Sequence, residues 1–217
     1  MNQAGRVAMM RGVRLPYKKR VEYLESTGTQ YIDTGFPLSS DCRAVANWTP
    51  MGVSSGTSAY AFGAYSNNMN FGVNVAVQFG DEYVVWKNES TSTNASGGLT
   101  NVRHTIDLSS SGAYRNGTLV YTPSGTFTSN KNAYLFWANG TGQGKAIARI
   151  YFVQFYSNGV LVRDFIPVRF TNENGVSEGA MYDRANPTVG MNPDGSARTD
   201  GLYRNRGTGA FLYGNDI

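Results

Sequence analysis

Residues 69–79 read "MNFGVNVAVQF". Met69, Phe71, Val73, Val75, Val77 and Phe79 alternate with Asn70, Gly72, Asn74, Ala76 and Gln78. Successive side chains of an extended chain point to opposite faces, so one apolar set at period two predicts a half-buried β-strand. The same pattern recurs in "VRHTIDL", with Val102, His104, Ile106 and Leu108 on one side and Arg103, Thr105 and Asp107 on the other.

Working outward, strands are expected at 42–48, 58–65, 82–87, 133–138, 146–156, 160–170, 180–183 and 210–213. Two Asn-Gly pairs sit between strand-like runs, in "AYRNGTLVY" and "QFYSNGVLV". Asn and Gly both accept the positive φ angles of a two-residue turn, so each pair predicts a hairpin. No stretch carries the apolar period of an amphipathic helix. The fold class is therefore all-β, a two-sheet antiparallel sandwich or a barrel. With 217 residues the chain fits one large β domain. Residues 88–101 read as a polar loop within that domain. Residues 184–209 are long, irregular and rich in Pro, Gly, Asn and Asp, which marks them as functional or interface-forming.

The charge is unevenly placed. Of 19 Lys and Arg, six (Arg6, Arg11, Arg14, Lys18, Lys19 and Arg20) lie in the first 20 residues without an acid. The other 13 face 15 Asp and Glu, a net of −2. The chain thus reads as a basic N-terminal arm, 1–20, on a near-neutral body, 21–217. Such an arm suits an acidic groove of a partner protein, and nucleic acid is a weaker rival for it. No apolar run approaches the roughly 20 residues of a membrane helix. The N-terminus lacks the apolar block of a secretory signal. The single cysteine, Cys42, forbids an intramolecular disulfide and reads as a small core hydrophobe.

Several phrases in order carry a resemblance: "VEYLESTGTQYIDTGF" from Val21, "RHTIDLSSSGAYRNGTLVYT", "IARIYFVQFYSNGVLVRDFIPVR", "GAMYDR" and "RNRGTGAFLYGND". Together they resemble the laminin-G-like, concanavalin A-like jelly-roll domains of phage virion proteins and of gut-bacterial surface proteins. The resemblance covers about residues 21–217, with an enlarged segment from Ala185 to Leu202. It implies two antiparallel sheets packed face to face, with first and last strands side by side. Tyr31, Ile32, Phe211 and Tyr213 would then close the sandwich. It also implies a non-enzymatic virion protein (capsid decoration, head fibre or tail-associated) that contacts other virion proteins or copies of itself. The alternative is a carbohydrate-binding adhesion module on a phage or bacterial surface, recognising a host glycan.

Candidate chemistry is sparse. Retaining glycoside hydrolysis needs two carboxylates about 5–5.5 Å apart, as a Glu-x-Asp strand would supply. No Glu here has an acid two places on. His104, the one histidine, alternates with apolar residues and reads as a hydrogen-bonded core residue. "NGTGQGKA" at 139–146 lacks the first glycine and the final Ser/Thr of a phosphate-binding loop. No cofactor is expected. Calcium is a weak possibility at Asp194, Asp200 and Asp183, since the EF-hand pattern breaks at Ser196 and Arg198. Trp48, Trp86 and Trp137 lie in apolar strand patterns and read as core. Tyr65, Tyr114 and Tyr203, at loop edges, are the candidate exposed rings for stacking on a sugar.

Overall fold

A computed structural model describes residues 15–56, 58–65, 70–76, 81–87, 89–92, 99–140 and 144–217. Among them there is no helix, and the strands form two largely antiparallel sheets packed as a sandwich.

The smaller sheet holds β3 (Ile32–Ser39), β5 (Ser58–Ala64), β6 (Asn70–Ala76), β7 (Asp81–Lys87), β8 (Glu89–Ser92) and β12 (Thr128–Leu135). Their order is β3-β12-β5-β6-β7-β8. The larger sheet is built on β4 (Cys42–Val53), β9 (His104–Ser109), β10 (Gly112–Arg115), β11 (Thr118–Tyr121), β13 (Ala146–Ser157), β14 (Val160–Thr171) and β15 (Ser177–Asp183). These run β11-β10-β9-β4-β13-β14-β15. Two-residue strands β16 (Gly190–Met191), β17 (Ala197–Arg198) and β18 (Leu202–Tyr203) extend it beyond β15, with β16 parallel to β18. β1 (Lys19–Arg20) pairs with β14, β2 (Leu24–Thr27) with β13, and β19 (Leu212–Tyr213) with β2.

The core follows from the alternation. Ala44, Ala46 and Trp48 of β4 and Ile150, Val153 and Phe155 of β13 point inward and are at most 1% exposed. Phe62 of the small sheet meets Phe155 of the large one edge-on, with ring centroids 5.7 Å apart. Both predicted hairpins form. Asn116 and Gly117 take φ of 48° and 82°, and Asn158 and Gly159 take 48° and 77°. Each pair links strands in register, Arg115 to Thr118 and Ser157 to Val160. Positive φ at both central residues matches the twist of the flanking strands.

Chain ends meet as the phrases at 21–36 and 204–216 suggested. Leu212 and Tyr213 pair with Glu25 and Leu24, and Val21 bridges Asp216. Ile32 and Phe211 are buried.

Three expectations change. Residues 89–92, read as loop, form β8 against β7, because backbone pairing at a sheet edge tolerates a polar Glu-Ser-Thr-Ser sequence. Val102 is 43% exposed rather than turned inward with His104, since it precedes β9 and escapes its alternation. The segment 184–209 is ordered by its arginines. Arg198 bonds Asp200 and Asn192, Arg204 bonds Glu173 and Glu178, and Arg206 bonds Asp33. The strand read at 69–79 is seen only over 70–76, the remainder lying outside the described residues.

Candidate functional site

The outer face of the small sheet carries a cluster of three rings. β12 places it: Ala133 and Leu135 enter the core, while Tyr134 between them stands on the outer face, half-buried. The regular pattern would then send Phe136 outward and Trp137 inward. Instead Phe136 has φ of +63°, a left-handed conformation that costs a non-glycine residue about 1–2 kcal/mol. The kink drops Phe136 into the core against Phe211, ring centroids 5.1 Å apart. Trp137 consequently faces out and is half-exposed. Trp48 and Trp86 are buried as expected, but Trp137 is corrected from core to surface, and the break in alternation is the cause.

Tyr31 enters from the chain just before β3, the strand paired with β12. Its ring lies 5.0 Å from that of Tyr134 and 5.3 Å from that of Trp137, and Tyr134 and Trp137 are 5.7 Å apart. The Lys145 ammonium rests 4.6 Å from the Trp137 centroid and 5.4 Å from that of Tyr31. Lys145 is pinned through its backbone: its N–H donates to Ser54 Oγ at 3.1 Å and its carbonyl accepts from Ser54 N at 3.0 Å.

Beside the rings, Asp33 Oδ2 accepts from Arg206 Nη1 at 2.8 Å. Its Oδ1 accepts from Gly35 N–H and Asn132 Nδ2. Burial, reinforced by the charges of Asp33 and Tyr31, pushes the Tyr134 hydroxyl above the ordinary tyrosine range, and Arg206 opposes this. That hydroxyl therefore stays a neutral donor and acceptor at the cluster's edge.

Aromatic rings with polar rims suit a saccharide. The apolar C–H face of a pyranose packs on the electron-rich face of Trp or Tyr, and its hydroxyls bond the rim. Neither a family model nor a curated protein matches this chain.

The residues singled out from sequence are scattered. Tyr65 is 40% exposed and follows β5; its N–H donates to the Asn139 carbonyl at 2.6 Å, two residues past Trp137. It therefore stands at the same end of the sheet as the cluster. Tyr114 is half-buried on β10 of the other sheet, its ring over Gly112. Tyr203, expected on the surface, is corrected: it is 1% exposed, edge-on to Phe165 at 4.9 Å. β18 pairs it with Met181 and turns its ring into the core.

The three aspartates do not converge. Asp194 bonds Ser196, Asp200 is tied to Arg198, and Asp183 is buried, accepting from Asp164 N–H and Ala185 N–H. Burial raises the Asp183 carboxyl above its usual range, with these N–H groups and Arg163 pulling the other way. Among the described residues no group of three or more His, Cys, Asp or Glu could hold a metal. Cys42 is free and buried.

Of the six basic residues, Arg6, Arg11 and Arg14 lie outside the described residues. Lys18 N–H donates to Arg169 O at 2.8 Å, Lys19 and Arg20 pair with β14, and Arg20 O accepts from Ile217 N. Tyr17 packs on Tyr182, 4.9 Å between centroids, over a small apolar cluster of Ile166, Val168 and Phe170. These three cations are therefore exposed but anchored by backbone bonds to β14 and the C-terminus.

Sequence reasoning missed Tyr31, Tyr134 and Lys145 as one site. The available signal was local: "YLFWA" strings Leu135, Phe136 and Trp137 together, three large apolar residues where alternation allows two.

Proposed function

We propose that this protein is a non-enzymatic virion component, a lectin-like jelly-roll sandwich of the laminin-G-like kind that binds carbohydrate through the Tyr31–Tyr134–Trp137 face. The observation that carries this reading is the half-exposed Trp137, held outward by a strained Phe136 beside two tyrosines. Backbone strain persists where the surroundings over-determine it, and such residues cluster at binding sites. A binding role is also favoured by three acids near the ring cluster and chain ends that are taken up in ion pairs: Asp33 with Arg206, Glu25 with Arg149, Asp216 with Arg169.

In this reading the basic N-terminal segment, Arg6 to Arg20, fastens the sandwich to an acidic neighbour in the particle, and the ring face points to a host glycan. A cell-surface adhesion module would use the same face without the particle. Two measurements test the proposal. The full chain is applied to a glycan array beside Trp137→Ala, and binding of a saccharide that the variant loses is the expected result. Arg6, Arg11 and Arg14 are then replaced by Gln and incorporation into purified particles is followed by mass spectrometry. An array as blank for the native chain as for Trp137→Ala sinks the glycan reading; unchanged incorporation sinks the anchor.

A further inference from the structure

We infer that Lys145 makes the ring face selective for a carboxylated saccharide. This rests on the reading of that face as a carbohydrate site and names the sugar class it takes.

The charges around the rings are unequal in their partners. Arg206 is neutralised by Asp33, whose two oxygens are both engaged. Lys145 has no carboxylate partner among the described residues; its ammonium lies against the Trp137 and Tyr31 rings instead. Among the described residues, Lys145 therefore gives the face a positive charge that no carboxylate balances. The backbone of Lys145, tied to Ser54 in both directions, fixes the root of the side chain whose ammonium lies at the rings.

Position sharpens the argument. An ammonium at the Trp137 ring competes for the surface on which a sugar would stack. A neutral sugar displaces it and loses a cation–π contact worth a few-fold in affinity at a half-exposed site. A sugar bearing a carboxylate draws the ammonium aside into a charge-assisted hydrogen bond, worth about tenfold. The second effect exceeds the first, so the lysine penalises neutral sugars and rewards acidic ones. The ring C–H groups of the same acidic sugar then pack on Trp137 and Tyr134.

The probes are trigalacturonate and sialyllactose, each beside its own methyl ester. Each pair shares sugar rings and differs in carboxylate charge. Titration calorimetry on the full chain, at low and high salt, should show at least one acidic probe binding about tenfold tighter than its neutral partner. High salt should shrink that margin. Lys145→Met, which keeps an apolar stem on the rings, should erase the margin. Lys145→Arg should keep it, and Trp137→Ala should weaken both members of the pair. Circular dichroism checks that each variant folds. Equal affinity within both pairs, or a margin that survives Lys145→Met, overturns the acidic selectivity while leaving the carbohydrate site standing. Binding of none of the four probes overturns this inference, and a blank glycan array would take the carbohydrate reading with it.

Discussion

His104 and Glu82 join the two sheets through the core, with His104 Nε2 2.9 Å from Glu82 Oε2. His104 is on β9 of the large sheet and Glu82 on β7 of the small one, and both are nearly inaccessible, 2% and 0% exposed. Trp48 Nε1 lies 3.0 Å from the same His104 nitrogen. His104 Nδ1 lies 2.9 Å from the Val102 carbonyl, and Arg115 Nη1 lies 3.6 Å from Glu82 Oε1. The lone histidine thus belongs to a buried polar latch, as the alternation of "VRHTIDL" implied.

Removing one member of such a latch strands the others away from water. Glu82→Leu or His104→Leu should each cost about 3–5 kcal/mol in urea unfolding. The double Leu variant should recover part of that loss, because it removes both ionisable partners and leaves only the Trp48 Nε1 donor without its acceptor. Additive losses in the cycle would show that the two residues act separately.

Tyr203 makes the fold sensitive to alkali. Burial pushes its hydroxyl up to about 12, from an ordinary value of 10.0. An acid whose pKa is higher folded than unfolded lends stability that is complete below the unfolded pKa and is lost as pH rises toward the folded one. Stability should therefore fall above about pH 10, with a Tyr203 share growing toward roughly 3 kcal/mol near pH 12. Tyr203→Phe should remove that share in alkaline denaturation. An identical pH profile for the variant would assign the loss to other tyrosines such as Tyr134 and Tyr182, which are also raised.

Two glycines should behave differently. Gly159 has φ of +77° and only open space where a methyl would be added, so Gly159→Ala should cost only the left-handed strain, about 1–2 kcal/mol. Gly190 has an ordinary φ, but a methyl there would overlap the Leu202 backbone, whose nitrogen would lie 2.8 Å away. Gly190→Ala should cost at least the roughly 1–3 kcal/mol of overpacking and should speed protease cleavage within 184–209. Cleavage within 184–209 no faster in Gly190→Ala than in Gly159→Ala would refute the steric account.

Calcium should leave the melting temperature unchanged. Asp194 Oδ1 is engaged by Ser196, both Asp200 oxygens are engaged by Arg198, and Asp183 is closed off from solvent. A rise of several degrees on adding calcium, reversed by chelator, would reveal a site built from other groups.

Period-two alternation and Asn-Gly pairs made most of the strands and both hairpins readable, because those signals are local: neighbours in sequence decide which face a side chain takes. The same rule misplaced Trp137, since a single positive φ at Phe136 reverses inside and outside for the residues that follow it. Tyr203, read as exposed from its place at a loop edge, is buried by a two-residue pairing with β15. The ring site was illegible for a further reason. Tyr31, Tyr134 and Lys145 come from three separate segments, and their meeting depends on β3 pairing with β12 and on Ser54 holding Lys145. Sequence by itself determined an all-β chain with its turns and a basic leader. Only the tertiary structure decided which rings reach the surface together, because that choice is made by contacts between residues far apart along the chain.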